Sequence, residues 1–257
     1  GGTILYTARC QEFKTEEGIQ KAIRNMKENG IEGLVVIGGD GSFRGAKDIT
    51  ERCGIPTIGI PGTIDNDLAY TDYTLGFDTA CNTVVTLINY IRDTMTSHER
   101  VSVIEVMGRN CGDIALYSGI AGGAESIVIP EVPMTAQDIV DRIHQSRARG
   151  KRSNIIVVAE GVKNFSELLE ELNQKLGADI RTTVIGHIQR GGSPSMADRI
   201  LASKFGARAV ELLDEGKGGR VVGIVDNHVI DRDIIEAVNM KRPVDMYLYQ
   251  LAKILAM

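Results

Sequence analysis

The chain has 257 residues, 43% hydrophobic and 25% charged, with 29 glycines, no tryptophan and a formal net charge of -5. That length holds one large α/β domain or two ordinary ones, with enough core to fold without a disulfide or metal staple. The acidic balance argues against a general nucleic-acid binder, and no run approaches the roughly eighteen apolar residues of a membrane span, so neither nucleic acid nor membrane is expected as a partner.

Taken in chain order, a helical pattern over 16–29 is stopped by Gly30, and the apolar run Leu34–Ile37 ends in Gly38-Gly39. Pro56–Ile60 runs into Pro61-Gly62. A helix over 78–97 follows, with Ala80, Val84, Leu87, Ile88, Ile91 and Met95 at helical spacing. Val101–Val106 ends before Gly108, Ser126–Ile129 ends in Pro130, and a helix is predicted over 135–149. Ile155–Ala159 precedes Gly161, and helices are predicted over 164–176, 195–215 and 244–255, with the run Val221–Val225 between the last two. Continuous β-branched runs suit strands buried on both faces, and their alternation with helices predicts a doubly wound α/β fold with ligands at the carboxyl ends of strands.

Three strand ends carry polar chemistry. Gly38-Gly39-Asp40-Gly41-Ser42 allows close backbone approach to a phosphate, with one carboxylate suited to Mg²⁺; a plain βα turn with a helix cap is the simpler reading. Pro61 to Asp67 packs Thr63, Asp65 and Asp67 into one turn, where Asp65 could take a proton from a hydroxyl and Asp67 could orient it; an Asx-rich turn is the alternative. The third group is basic: Arg100 before one strand, Arg109 after it, and Arg181, His187 and Arg190 in the stretch Arg181 to Gly192. Guanidiniums beside carboxylates suit phosphoryl transfer, where catalysis is mostly positioning and charge neutralisation. Arg24 and Arg208 are read as surface charge, and His98, His144 and His228 as solvated or capping residues. Cys10, Cys53, Cys81 and Cys111 form no CxxC pair, so reduced cytosolic thiols are expected.

Together these motifs identify a family. Gly38–Ser42, Pro61–Asp67, Met107-Gly108-Arg109 and Gly186-His187-Ile188-Gln189-Arg190-Gly191-Gly192, in this order, resemble bacterial 6-phosphofructokinase, as do Gly1-Gly2-Thr3 with Arg9 and Lys241-Arg242-Pro243. The resemblance implies transfer of the ATP γ-phosphoryl group to the 1-hydroxyl of fructose 6-phosphate in a cytoplasmic, Mg²⁺-dependent glycolytic enzyme. It implies Asp65 as base, Thr63 and Arg109 as stabilisers of the transferring group, and Asp40 as the metal ligand. Arg9, Cys10, Gly39, Asp40, Gly41 and Ser42 correspond to the nucleotide site. Ile64, Asp67, Met107, Gly108, Glu160, His187, Ile188, Gln189 and Arg190 fall to the substrate side. Arg100 and Arg181 would come from a neighbouring subunit, implying a homotetramer. An ordinary carboxylate pKa of about 3.9 would leave Asp65 ionised at neutral pH.

Arg92, Gly123, Ala124, Glu125, Arg149, Lys151, Arg152 and Ser153 match family positions for a nucleotide diphosphate or phosphoenolpyruvate effector; helix-end charge is the alternative. Pyrophosphate-dependent relatives carry Asp where Gly41 stands and Lys where Gly62 stands, so ATP is the expected donor. The family's opening βα unit has no match here, so an N-terminally incomplete chain is expected, with a catalytically silent binding or assembly module as the alternative reading and a pyrophosphate-dependent enzyme as the weaker one. The resemblance places a nucleotide lobe in 1–76 and 189–239 and a sugar-phosphate lobe in 77–188 and 240–257. Gly1 is then the middle of a motif, and neither a natural start nor a signal peptide.

Overall fold

In a computed structural model, residues 2–95, 100–151, 153–177 and 180–256 are described. His98, Arg152 and the end of the helix predicted over 78–97 lie outside them. The elements run α1 (Glu16–Glu28), β1 (Leu34–Gly38), α2 (Asp40–Cys53), β2 (Thr57–Pro61), α3 (Phe77–Met95), β3 (Val101–Val106), α4 (Asp113–Ala121) and β4 (Ser126–Val128). Then come α5 (Ala136–Ala148), β5 (Asn154–Ala159), α6 (Phe165–Leu176), β6 (Ile180–Val184), α7 (Met196–Asp214), β7 (Arg220–Val225), β8 (His228–Asp233), α8 (Ile234–Asn239) and α9 (Met246–Leu255).

Two compact units share this chain. The first takes residues up to Thr63, Leu68–Gly76 and Ser193–Arg242; the second takes Ile64–Asp67, Phe77–Gly192 and the residues from Pro243 on. These bounds differ from the sequence-based ones in giving Ile64–Asp67 and residues 189–192 to the second unit and residues 240–242 to the first.

In the first unit the sheet order is β1-β2-β7-β8. β1, β2 and β7 are parallel, while β8 returns antiparallel to β7 through a turn in which Asp226 and Asn227 both have positive φ. Two such residues give the twist that a tight hairpin needs. Its inner strands β2 and β7 are covered on both faces, which is why they read as unbroken apolar runs. Val221 faces Phe43, Ala46, Ile234 and Ala237 of α2 and α8, and its neighbour Val222 faces Phe205, Ala209 and Leu212 of α7. Each fully buried Ile or Phe here contributes about 1.5–3 kcal/mol relative to exposure. Arg208 and Arg220 both donate to the Asp231 carboxylate, at 2.9 and 2.8 Å, joining α7, β7 and β8. Arg208 is therefore a structural residue, a correction to its reading as loose surface charge.

The second unit's sheet is wholly parallel, in the order β4-β5-β3-β6. Alternate residues of β5 serve its two cores. Ile155, Val157 and Ala159 pack with α3, α4 and α9, and Ile156 and Val158 pack with α5 and α6. The capping box of Thr135 and Asp138 starts α5, and Ser195 caps α7.

Candidate active site

In the first unit, β1 delivers the chain to Gly39, the N-cap of α2, so Asp40, Gly41 and Ser42 form the first helical turn. This is the arrangement that presents free backbone N–H groups to an anion. Close packing explains two glycines: a Cβ on Gly38 would meet the Ser42 Oγ at 2.4 Å, and one on Gly62 would meet the Ile37 Cγ2 at 2.8 Å. A Cβ on Gly41 would enter open space. The Gly62 N–H donates to the Gly38 carbonyl at 2.9 Å, and a Cβ on Gly39 would touch Thr63 at 3.8 Å, so the two loops are neighbours within this unit. The Thr74 hydroxyl donates to the Thr63 carbonyl at 2.7 Å. Asp40 accepts from Arg44 Nε at 3.1 Å, one helical turn on. Arg9 and Cys10 lie exposed in the irregular segment ahead of the 3-10 turn Glu12–Lys14.

In the second unit, the structure brings together Asp65, Asp67, Arg109 and Glu160. Arg109 Nε lies 3.9 Å from Asp65 Oδ2, and its NH1 lies 3.5 Å from Asp67 Oδ2. Glu160 Oε1 accepts from the Arg109 N–H at 2.8 Å and from the Gly108 N–H at 3.3 Å. The turn that permits this is tight. Gly108 has φ +136° and Arg109 φ +55°, and a Cβ on Gly161 would fall 2.1 Å from the Arg109 carbonyl oxygen. The Gln189 side chain holds the Met107 N–H at 3.2 Å and donates to the Gly186 carbonyl at 3.0 Å, fixing the 3-10 turn Gly186–Arg190 at the end of β3. His187, Ile188 and Arg190 are exposed on that turn, and Ile64 packs against the α3–α4 core.

Asp65 is 7% exposed. Burial raises its pKa above the ordinary carboxylate value, and the neighbouring Asp67 adds to the rise. Arg109 opposes it, Glu160 reinforces it and Arg190 opposes it. The unshifted value expected from sequence therefore does not hold, because desolvation outweighs the partly exposed guanidiniums. Glu105 in β3, absent from the sequence-based set, is likewise raised by burial and then by Glu160.

Arg100 is half-buried just before β3, its carbonyl accepting from the Asn154 N–H at 3.2 Å, and Arg181 is exposed on the edge strand β6. Among the residues matched to an effector site, Arg92 donates to the carbonyls of Gly122 and Gly123. The Glu125 carboxylate is buried beside Ala124, accepting from Lys151 Nζ at 3.2 Å and from the Ile155 N–H at 2.6 Å. Arg149 ends α5, and Ser153 is half-buried before β5.

Two residues that sequence reasoning passed over stand at the heart of this geometry. Asn66, with φ +52° and no exposed surface, donates from Nδ2 to Asp113 Oδ2 at 2.8 Å, and Asp113 in the first turn of α4 is 4% exposed. Among the described residues, no group of three or more His, Cys, Asp or Glu is arranged to hold a metal, and no helix is long and apolar enough to cross a membrane.

Two doubly wound α/β units, one opening a helix with a Gly-Asp-Gly turn and the other setting the buried Asp65 carboxylate near an arginine, are the architecture of a phosphoryl-transfer protein. The sequence profile described as Phosphofructokinase matches residues 1–213. The chain is 59% identical over 256 residues to the ATP-dependent 6-phosphofructokinase of Clostridioides difficile (strain 630), covering 100% of this chain and 80% of that one. The structure of phosphofructokinase from Saccharomyces cerevisiae superposes with a TM-score of 0.87 at 34% identity, over 100% of this chain and 38% of that one. Pyrophosphate-dependent phosphofructokinase from Marinobacter aquaeolei superposes with a TM-score of 0.83 at 25% identity, over 96% of this chain and 68% of that one. The chain belongs to the phosphofructokinase family.

Proposed function

We propose that this chain is the catalytic part of an ATP-dependent 6-phosphofructokinase, transferring the ATP γ-phosphoryl group to the 1-hydroxyl of fructose 6-phosphate in glycolysis. The observation that carries the reading is a buried carboxylate, Asp65, flanked by Asp67 and Arg109 in a chain 59% identical to an ATP-dependent relative. Asp65 takes the proton of the 1-hydroxyl as that oxygen bonds to the γ-phosphorus and the bond to the bridging β–γ oxygen breaks, releasing ADP. A base whose pKa has risen from the ordinary carboxylate value binds that proton more strongly. Arg109 and Thr63 offset charge on the transferring group. Arg9, Cys10 and the turn Gly39–Ser42 receive the nucleotide. Met107, Gly108, Glu160, His187 and Arg190 receive the sugar phosphate.

The donor set fits Mg²⁺ in the manner of phosphate-bridging sites, since Asp40 supplies one exposed carboxylate at a helix start, its Oδ2 accepting from Arg44 one turn on. Bound there, the ion would neutralise phosphate charge. Arg100 and Arg181 reach the sugar phosphate of a neighbouring subunit in a homotetramer. Arg92, Gly123–Glu125, Arg149 and Lys151–Ser153 receive an anionic effector, a nucleotide diphosphate or phosphoenolpyruvate. The protein works in the cytoplasm.

A coupled assay on the intact gene product containing this chain, with fructose 6-phosphate and either ATP or pyrophosphate, tests the reading. Bisphosphate formation with ATP and not with pyrophosphate is expected; the reverse preference would sink it.

A further inference from the structure

We propose that Asn66 and Asp113 are positioning residues for phosphoryl transfer, a buried brace that sets Asp65 against Arg109. The inference rests on the functional reading above.

Its starting point is a comparison of magnitudes. The contacts of Arg109 with Asp65 and Asp67 are 3.9 and 3.5 Å long, and the Arg109 side chain is 66% exposed. At these lengths the exposed guanidinium makes no close hydrogen bond to Asp65, and its long side chain keeps much of its freedom. Such contacts hold the arginine loosely. The Asn66–Asp113 bond is 2.8 Å long between residues 0% and 4% exposed, and a buried hydrogen bond to a charged acceptor contributes about 1.5–3 kcal/mol. A shorter, drier link runs beneath the site.

The brace also joins the right pieces. Asn66 lies between Asp65 and Asp67 in the chain. Asp113 ends the short segment that begins at Met107 and carries Arg109. Further bonds stiffen this segment: Cys111 N–H to the Gly108 carbonyl at 2.9 Å, Gly112 N–H to Glu131 Oε1 at 2.8 Å, and Cys111 Sγ to the Asn66 carbonyl at 3.8 Å. The start of α4 also favours the Asp113 charge. Position 66 makes two demands at once. It needs a residue that tolerates φ +52° and a side chain that donates to a carboxylate. Glycine meets only the first, and aspartate would set a second negative charge against Asp113. Asparagine meets both.

The test uses the intact gene product with Asn66→Gly, Asp113→Ala and Asp113→Asn. Asn66→Gly keeps the backbone conformation accessible and deletes the side chain that makes the brace. Asp113→Asn keeps an acceptor and serves as the conservative rescue. We expect kcat with ATP to fall roughly 10- to 100-fold in Asn66→Gly and Asp113→Ala, as a loss of alignment does, while KM for fructose 6-phosphate stays within about threefold. Asp113→Asn should recover most of kcat. In the two deleting variants the acid limb of kcat should move toward lower pH, because a loosened Asp65 gains water. Amide hydrogen exchange across residues 63–68 should quicken in the same two variants, with circular dichroism unchanged. An Asn66→Gly enzyme within twofold of wild-type kcat, or an Asp113→Asn enzyme as slow as Asp113→Ala, would overturn the proposal. A wild-type protein inactive with ATP defeats the functional reading; exchange across 63–68 then decides the brace, and unchanged exchange in Asn66→Gly overturns it.

Discussion

Asp65 carries opposite consequences for activity and for stability. Its folded-state pKa is raised, first by burial and then by Asp67. With Asp65 as the proposed base, kcat should fall as pH drops through the raised value, which displaces the acid limb upward from the ordinary carboxylate value. For stability, a raised folded-state pKa means a contribution fully present below the ordinary value and lost as pH rises through the folded one. Above that folded-state value the buried charge is therefore a cost of folding. Asp65→Asn removes that cost along with the base. Kinetics and thermal unfolding of the same variant should give a kcat loss of about 10²–10⁴-fold and a Tm equal to or above wild type at pH 7. A Tm well below wild type would contradict the sign. Of these residues, Asp65 and Arg109 stood out in the sequence because carboxylates and guanidiniums cluster there at strand ends. Asn66 and Asp113 were not, since their meaning lies in a contact spanning 47 residues. A short local pattern gives no sign of it.

At the scale of elements, periodicity succeeded for most helices with one wet face and for strands buried on both, though α2 (Asp40–Cys53), with Phe43, Ala46 and Ile49 on its buried face, was not among the predicted helices. The helix predicted over 164–176 is α6 (Phe165–Leu176), and the run Ile155–Ala159 lies inside β5. α4 went unseen because Asp113, Ile114, Ala115, Leu116, Ser118 and Gly119 are all buried, which erases the stripe that marks an amphipathic helix. β6 and β8 went unseen because edge strands expose polar residues such as Arg181, Thr182 and Arg232. The arginine clamp on Asp231 is a property of three elements together. Burial pushes the Asp231 pKa up, but hydrogen bonds from Arg208 and Arg220 outweigh it, and the net shift is downward. A lowered folded-state pKa contributes stability above the ordinary carboxylate value and loses it as pH falls through the folded one. Asp231→Ala should cost roughly 1–3 kcal/mol near pH 7, measured by urea unfolding, and the difference from wild type should shrink toward pH 3. A penalty that held constant with pH would mean that packing, and not charge, dominates.

For the whole molecule, the decisive fact is that neither unit is a contiguous stretch. Each is made of three segments, alternating along the chain, so the backbone passes between units five times. The last segment supplies α9, whose Tyr249 and Ala252 join the core with Phe77, Ile114 and Val157. Deleting residues 243–257 uncovers that core, and should lower the unfolding temperature and raise binding of a hydrophobic dye. A truncated protein that melts with wild type would refute a structural role for α9.

The same interlacing governs how the chain is born. β2 pairs with β7 through Ile58 and Arg220, residues 162 positions apart (220 − 58). At a synthesis rate of about 5–20 residues per second, the β1–β2 pair waits roughly 8–30 s for its third strand to leave the ribosome. During that interval an apolar, half-built sheet stands open to other nascent chains and to chaperones. Lesions in α7 or β7 are therefore expected to reduce the yield of folded protein in the cell more than they reduce the stability of the molecules that finish folding.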